Sequence, residues 1–255
     1  INNTADGAFA NSGAVYLYAN GTDKSSVNDI KGNFVGNRAL ASSSTAYGGA
    51  LMNSVSMKNY QSQIHDVIAN FIGNSAEGVT EAAGGAVFNR NSGAVINSIT
   101  GIFANNKVLA SGNNGKAEGG AIFNSGIIGD INADFIGNSA TSTHGGAFGA
   151  AIYNTGTIGD IEADFIYNSA TSTYDVVYGG VIYNTGEIGN ISGSILGNEV
   201  TASSYISGGV LYNYASGTNS EATIGALSGG IKENTIKSIS GFVQGGLIEN
   251  YAESG

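Results

Sequence analysis

Apolar residues in this chain occur in short runs that are separated by glycine and polar residues. The clearest unit, residues 149–178, has three such runs, at 151–154, 158–161 and 163–168. Each run has about the length of a short strand, and no 3.6-residue period of apolar positions lasts for two helical turns. The polar stretch 169–175 that follows is predicted to be a variable loop. The pattern therefore predicts an all-β chain with three short strands in each unit.

The unit is one copy of a repeat that opens on Gly-Gly-aliphatic residues. Copies begin near residues 12, 48, 84, 119, 149, 179, 208 and 245, so successive starts are 29 to 37 residues apart. A period of this length is typical of a stacked repeat fold. We predict a right-handed parallel β-helix in which each strand pairs with its counterpart about 4.8 Å along the axis. Residues 1–255 are predicted to form one such domain of about eight repeats, as part of a longer chain.

Comparison of the copies predicts which side chains point outward. The fourth residue of each copy is aliphatic and is predicted to face the core, whereas the fifth varies from aromatic to Glu and is predicted to face solvent. A row of exposed aromatic rings can stack on sugar rings or anchor a protein partner. Alternatively, the rings only stack on one another and shield the sheet. This candidate binding surface, the aromatic column, consists of Phe88, Phe123, Tyr153, Tyr183 and Tyr212.

Asparagine and phenylalanine recur at two further places. An Asn follows the fifth residue in seven copies, and a Phe-x-x-Asn tetrapeptide recurs later in the unit. Asparagines at the same corner of each coil can form a hydrogen-bonded ladder, and stacked Phe rings can fill the core. We therefore predict structural ladders at Asn89, Asn124, Asn154, Asn184 and Asn213, and in the second motif at Phe103, Phe135, Phe165, Asn106, Asn138 and Asn168.

Composition narrows the classes of function. With 9 Lys and Arg against 19 Asp and Glu, the net charge is −10, and no basic patch is available for nucleic acid or anionic lipid. The 41 Gly and the absence of Pro suit many tight turns between strands, and the absence of Cys excludes disulfides and thiolate metal sites. No apolar run approaches the roughly 20 residues that span a bilayer, so we expect no membrane insertion by this segment.

Two tetrapeptides, Gly-Gly-Ala-aliphatic and Phe-x-x-Asn, alternate from about Gly13 to Asn250. In this alternation, which covers nearly the whole chain, the sequence resembles the polymorphic outer-membrane protein family of autotransporters. The resemblance implies a passenger domain that is secreted through an outer-membrane barrel and acts at the bacterial cell surface, commonly as an adhesin. It also implies a partner on a host or neighbouring cell, either a surface protein or a glycan.

Acidic side chains are the candidate chemistry for an enzyme, because parallel β-helices include polysaccharide lyases and hydrolases. Asp130 and Asp160 occupy the same place in adjacent copies, as do Asp134 and Asp164. Like charges stacked about 5 Å apart either splay into water or hold a cation between them. A solvated acidic edge, a calcium site and a catalytic pair are the alternatives, and Asp130 and Asp160 are weak candidates for metal binding.

The leading hypothesis is a non-enzymatic adhesin or extended display scaffold without a cofactor, located outside the cell or on a bacterial surface. One alternative is a subunit that associates end to end into an extracellular filament, since the strand edges of an uncapped coil can pair with another subunit. A second alternative is a polysaccharide-degrading enzyme that uses the row of Asp residues.

Overall fold

The repeats form stacked coils of β-strands. The computed structural model describes residues 1–21, 24–57, 59–216 and 221–253. All regular secondary-structure elements among these residues are β-strands. Strands pair in parallel with their counterparts one coil away, as in the register of Ile152 with Ile182. The predicted all-β parallel β-helix is therefore confirmed. None of the described segments is a helix long and apolar enough to cross a bilayer.

Along one coil the chain passes through four sheets, and the first three contain eight strands each. Sheet 1 consists of Thr4–Gly7, Arg38–Ala41, Ser75–Gly78, Lys107–Asn113, Ser139–His144, Ser169–Ser172, Glu199–Ala202 and Thr235–Ser238. Sheet 2 consists of Ala10–Asn11, Thr45–Tyr47, Glu81–Ala83, Lys116–Glu118, Ala147–Phe148, Val177–Tyr178, Ile206–Ser207 and Val243–Gln244. Sheet 3 consists of Val15–Ala19, Leu51–Val55, Val87–Arg90, Ile122–Asn124, Ile152–Asn154, Ile182–Asn184, Leu211–Ser216 and Ile248–Glu253.

Sheet 4 changes along the stack. Its first four strands are long and continuous: Ser25–Val35, Ser62–Ile72, Ala94–Ala104 and Ile127–Ile136. In later coils each long strand is replaced by three two-residue strands in the same sheet: Thr157–Ile158, Ile161–Glu162 and Phe165–Ile166, then Glu187–Ile188, Ile191–Ser192 and Ile195–Leu196, then Thr223–Ile224, Leu227–Ser228 and Ile231–Lys232. The three apolar runs predicted as strands in each unit thus lie in sheet 3 and sheet 4.

The loop predicted at 169–175 is wrong for its first part, because Ser169–Ser172 is a strand of sheet 1. Ala170 and Ser172 are buried, and the Ser172 hydroxyl donates to the carbonyl oxygen of Gly145 at 2.7 Å. The inward residues of sheets 1 and 2 are mainly Ala and Val, which pack into a narrow core of their own. Small inward residues between polar outward ones gave this strand the appearance of a loop in the sequence.

The main core is a stack of phenylalanine rings and aliphatic side chains between sheets 3 and 4. Successive rings lie parallel, with centroids 4.9–5.0 Å apart, which is the spacing of neighbouring strands. The ring of Phe135 is fully buried. The stack fixes the register between coils, since a shift of one residue would turn these rings to the outside. Its members are Phe34, Phe71, Phe103, Phe135 and Phe165.

Two continuous ladders of asparagine hydrogen bonds run along the stack. In the ladder at the end of sheet 3, Nδ2 of Asn124 donates to Oδ1 of Asn154 at 2.8 Å, and the ladder extends from Asn53 to Asn250 through Asn89, Asn184 and Asn213. In the ladder after the Phe stack, the backbone N–H and Nδ2 of Asn138 both donate to Oδ1 of Asn168, at 2.9 and 3.0 Å. Nδ2 of Asn138 also donates to the carbonyl oxygen of Phe103. The same pattern holds at Asn106, Asn168 and Asn198.

Candidate binding groove

The turn from sheet 2 to sheet 3 brings outward side chains of both sheets together. The glycine that opens each repeat from Gly48 to Gly245 has φ between 52° and 66°, a left-handed conformation that favours glycine. A Cβ at Gly119 would lie 2.2 Å from the carbonyl oxygen of Ile122, so no other residue fits there without rearrangement. Phe148, just before such a turn, contacts Tyr153, just after it, with ring centroids 6.2 Å apart. Outward side chains that touch across a corner define a concave surface.

We call this concave surface the aromatic groove. One wall is the last residue of each sheet 2 strand from the second strand on: Tyr47, Ala83, Glu118, Phe148, Tyr178, Ser207 and Gln244. The other wall is the second residue of each sheet 3 strand from the second strand on: Met52, Phe88, Phe123, Tyr153, Tyr183, Tyr212 and Glu249. Seven rungs at the strand spacing make the groove about 29 Å long.

The predicted exposure of the aromatic column is wrong at two positions and only partly met at the other three. Phe88 is 2% exposed and Tyr212 is 7% exposed, while Phe123, Tyr153 and Tyr183 are half-buried. The rings stack on one another, with centroids 4.6–5.7 Å apart. They point away from the main core, as the sequence suggested, but the other wall of the groove covers them.

The covering contacts come from one coil earlier in the chain. The ring of Tyr47 stacks on Phe88 at 4.6 Å, beside the small Ala83. The ring of Phe148 packs edge-on against Tyr183 at 5.6 Å. The prediction failed because it treated each sheet as an isolated face and did not include the residue before Gly-Gly, which is aromatic in three copies.

Glu118 is the charged residue of the sheet 2 wall, and it was not among the predicted site residues. Its side chain is 7% exposed. Burial, and secondarily the charge of Glu81, raise the pKa of Glu118 to about 7, against a smaller opposing effect of Lys116. Burial also raises the pKa of Tyr153 and Tyr183, so these phenols stay neutral and the groove remains an apolar environment.

The groove is polar at both ends. Near its first rung the guanidinium of Arg90 lies 5.5 Å from the ring centroid of Tyr47, and the Tyr47 hydroxyl donates to Glu81 at 3.1 Å. At the other end is a pocket of about 330 Å³, which we call the tyrosine pocket. Its walls include the rings of Tyr178, Tyr183, Tyr205, Tyr212, Tyr214 and Tyr251.

The row of Asp residues on sheet 4 bonds to the backbone of the next coil. Oδ1 of Asp130 accepts the N–H of Asp160 at 2.9 Å, and Oδ1 of Asp160 accepts the N–H of Asn190 at 2.7 Å. Asp134 and Asp164 follow the same pattern. These carboxylates therefore receive backbone donors where the long strands of sheet 4 break into short pieces.

Three potential metal-ligating side chains converge elsewhere, at Asp29, His65 and Asp66. Asp29 forms an ion pair with Lys31 at 2.8 Å, and Asp66 accepts the Ser98 hydroxyl at 2.7 Å. The Ser98 hydrogen bond is the largest of the influences that lower the pKa of Asp66. In this cluster Lys31 balances the charge of Asp29, and Asp66 is hydrogen-bonded to a neutral hydroxyl.

Comparison with protein-family models, with curated proteins and with solved structures gives no match for this chain.

Proposed function

We propose that this chain is an extracellular binding scaffold, a passenger-type adhesin that attaches to a protein or glycan on another cell through the aromatic groove. The observation that supports this most directly is the groove itself, a concave surface about 29 Å long that presents partly exposed rings from both walls, among them Phe123, Phe148 and Tyr178. Concave surfaces lined by tyrosine suit recognition, because the ring supplies apolar contact area and the hydroxyl a polar one.

The fold supports such a role through rigidity. The Phe stack and the two asparagine ladders connect each coil to the next, so the rungs of the groove are held at a constant spacing. A ligand with repeating units, such as an extended polysaccharide or a β-strand of a partner, matches a surface of this kind. The alternating motif pair is the feature that favours the autotransporter type of passenger.

A cell-binding assay tests the proposal. The purified protein, labelled with a fluorophore, is added to a panel of epithelial and bacterial cells and to a glycan array. We expect saturable binding to at least one surface and at least a tenfold loss of affinity in Tyr178→Ala, whose ring lies in the groove. Tyr174→Ala is the matched control, because its ring is 66% exposed and lies outside the groove.

Two outcomes would contradict the proposal. One is the absence of binding to every cell and glycan tested, with a folded protein. The other is equal binding by the groove variant and the control variant. In the same preparation, long fibres in electron microscopy would favour the filament alternative. Turnover of an acidic polysaccharide that is lost in Asp130→Asn or Asp160→Asn would favour the enzyme alternative.

A further inference from the structure

The tyrosine pocket is a concave cage of aromatic rings. Tyr178 stacks on Tyr212 with centroids 5.5 Å apart, and Tyr212 stacks on Tyr214 at 5.6 Å. Tyr214 in turn stacks on Tyr251 at 5.7 Å with nearly parallel planes. The volume of about 330 Å³ is sufficient for a small organic head group.

Two carboxylates lie in the same pocket, and each accepts a hydrogen bond from a neighbouring side chain. Glu249, 9% exposed, accepts hydrogen bonds from the Ser207 hydroxyl and from Nε2 of Gln244. Glu253 accepts the Tyr214 hydroxyl at 2.6 Å. The pocket lining among the described residues contains no Lys, Arg or His. What the pocket still offers to a ligand is therefore negative charge and the electron-rich faces of rings.

At the other end of the groove, a tyrosine ring and a carboxylate lie beside a cation that the chain itself supplies. Arg90 lies over the Tyr47 ring, and the Tyr47 hydroxyl donates to Glu81. Arg90 occupies the position after the ladder asparagine, where the last two copies have Tyr214 and Tyr251. A tyrosine ring, a carboxylate and a cation thus lie together at this end of the groove. In the tyrosine pocket the lining residues supply the rings and the carboxylates, and a bound ligand would supply the cation.

We propose that the tyrosine pocket binds an organic ammonium cation. The rings would contact the methyl or methylene groups next to the nitrogen through cation–π attraction, and Glu249 and Glu253 would balance its charge. An anion would be repelled by the two carboxylates. This inference rests on the proposed function, since it names the ligand class for one end of the binding groove.

The first experiment compares a cation with a neutral molecule of the same shape. Choline and 3,3-dimethyl-1-butanol are titrated against the protein by calorimetry and by saturation-transfer NMR. We expect choline to bind with a Kd of roughly 1 mM and the neutral alcohol to bind at least tenfold more weakly. Lysine amide and arginine amide, titrated in the same way, identify whether the pocket prefers a methylated, a primary or a guanidinium cation.

Variants locate the binding to the pocket. We expect Tyr214→Leu and Glu253→Gln each to weaken choline binding at least fivefold, and Tyr214→Phe to retain most of the affinity because it keeps the ring. Tyr174→Leu and Glu187→Gln are the controls and should bind choline like the unmodified chain, since both residues are exposed and outside the pocket. Circular dichroism and melting temperatures confirm that each variant is folded.

The inference is overturned if the alcohol binds as well as choline, if no cation binds, or if pocket and control variants lose affinity equally. Cell attachment that depends on Tyr178 without any ammonium binding would reject this inference and leave the proposed function standing. Choline binding by a protein that attaches to no cell or glycan would reject the proposed function and leave the pocket as a cation site.

Discussion

The buried carboxyl of Glu118 should make the stability of the whole stack depend on pH near neutrality. In the folded chain its pKa is raised from 4.5 to about 7, chiefly by burial. The folded state therefore holds a proton that the unfolded state has released between these two pH values, and stability falls as pH rises through this window. At 1.36 kcal/mol per pH unit, the difference of about 2.5 units corresponds to about 3 kcal/mol lost above pH 7.

Glu118→Gln tests this magnitude, because Gln has nearly the same shape and remains neutral at every pH. We expect the free energy of unfolding at pH 8 to be about 3 kcal/mol higher in Glu118→Gln than in the unmodified chain, and the two proteins to be similar at pH 4.5. Guanidinium denaturation followed by circular dichroism measures both. Glu187→Gln, an exposed glutamate on sheet 4, is the control and should keep the pH dependence of the unmodified chain.

The reasoning would be refuted if Glu118→Gln and the unmodified chain showed the same dependence on pH. It would also be refuted if the variant were the less stable protein at pH 8, since that would mean that the carboxylate has a stabilising partner. Carbon-13 NMR titration of the Glu118 carboxyl provides a direct second measurement, with an expected midpoint about pH 7.

Three further positions test the contacts between coils. Asn138→Ala should lower the unfolding free energy by roughly 3–5 kcal/mol, because the N–H and Nδ2 of Asn106 and the carbonyl oxygen of Phe103 lose a buried partner. The control Asn132→Ala, at an exposed position, should change the unfolding free energy by less than about 0.5 kcal/mol. Equal effects of the two variants in denaturant titrations would contradict a stabilising role of the ladder. Phe135→Ala should lower the unfolding free energy by roughly 3–5 kcal/mol, and Phe135→Leu should lower it by about 1 kcal/mol. A small effect of the alanine substitution would mean that the ring stack is not the main core. Asp160→Asn keeps the acceptor for the next coil and removes a like charge, so its melting temperature should be no lower than that of the unmodified chain. Asp160→Ala loses the acceptor and should melt at a lower temperature. A much lower melting temperature of Asp160→Asn, together with calcium-dependent melting of the unmodified chain, would instead indicate a metal site.

The repeat in the sequence was sufficient to predict the β-helix, the inward aliphatic row and the alignment of Phe and Asn residues. The physical reason is that a parallel stack places equivalent residues directly over one another, so that a period in the chain becomes a column in space. Position-by-position comparison therefore shows which columns are apolar or amide-bearing. It does not show strands with small inward residues, and Ser169–Ser172 was mistaken for a loop for that reason.

Only the tertiary structure decided what the outer columns face. The left-handed glycine turn folds sheet 2 against sheet 3, and contacts such as Tyr47 on Phe88 cross from one coil to the next. These contacts cover the aromatic column, bury Glu118 and form the tyrosine pocket at one end of the groove. They depend on the angle between two sheets and on residues about 40 positions apart, and neither quantity is contained in the period of a single repeat.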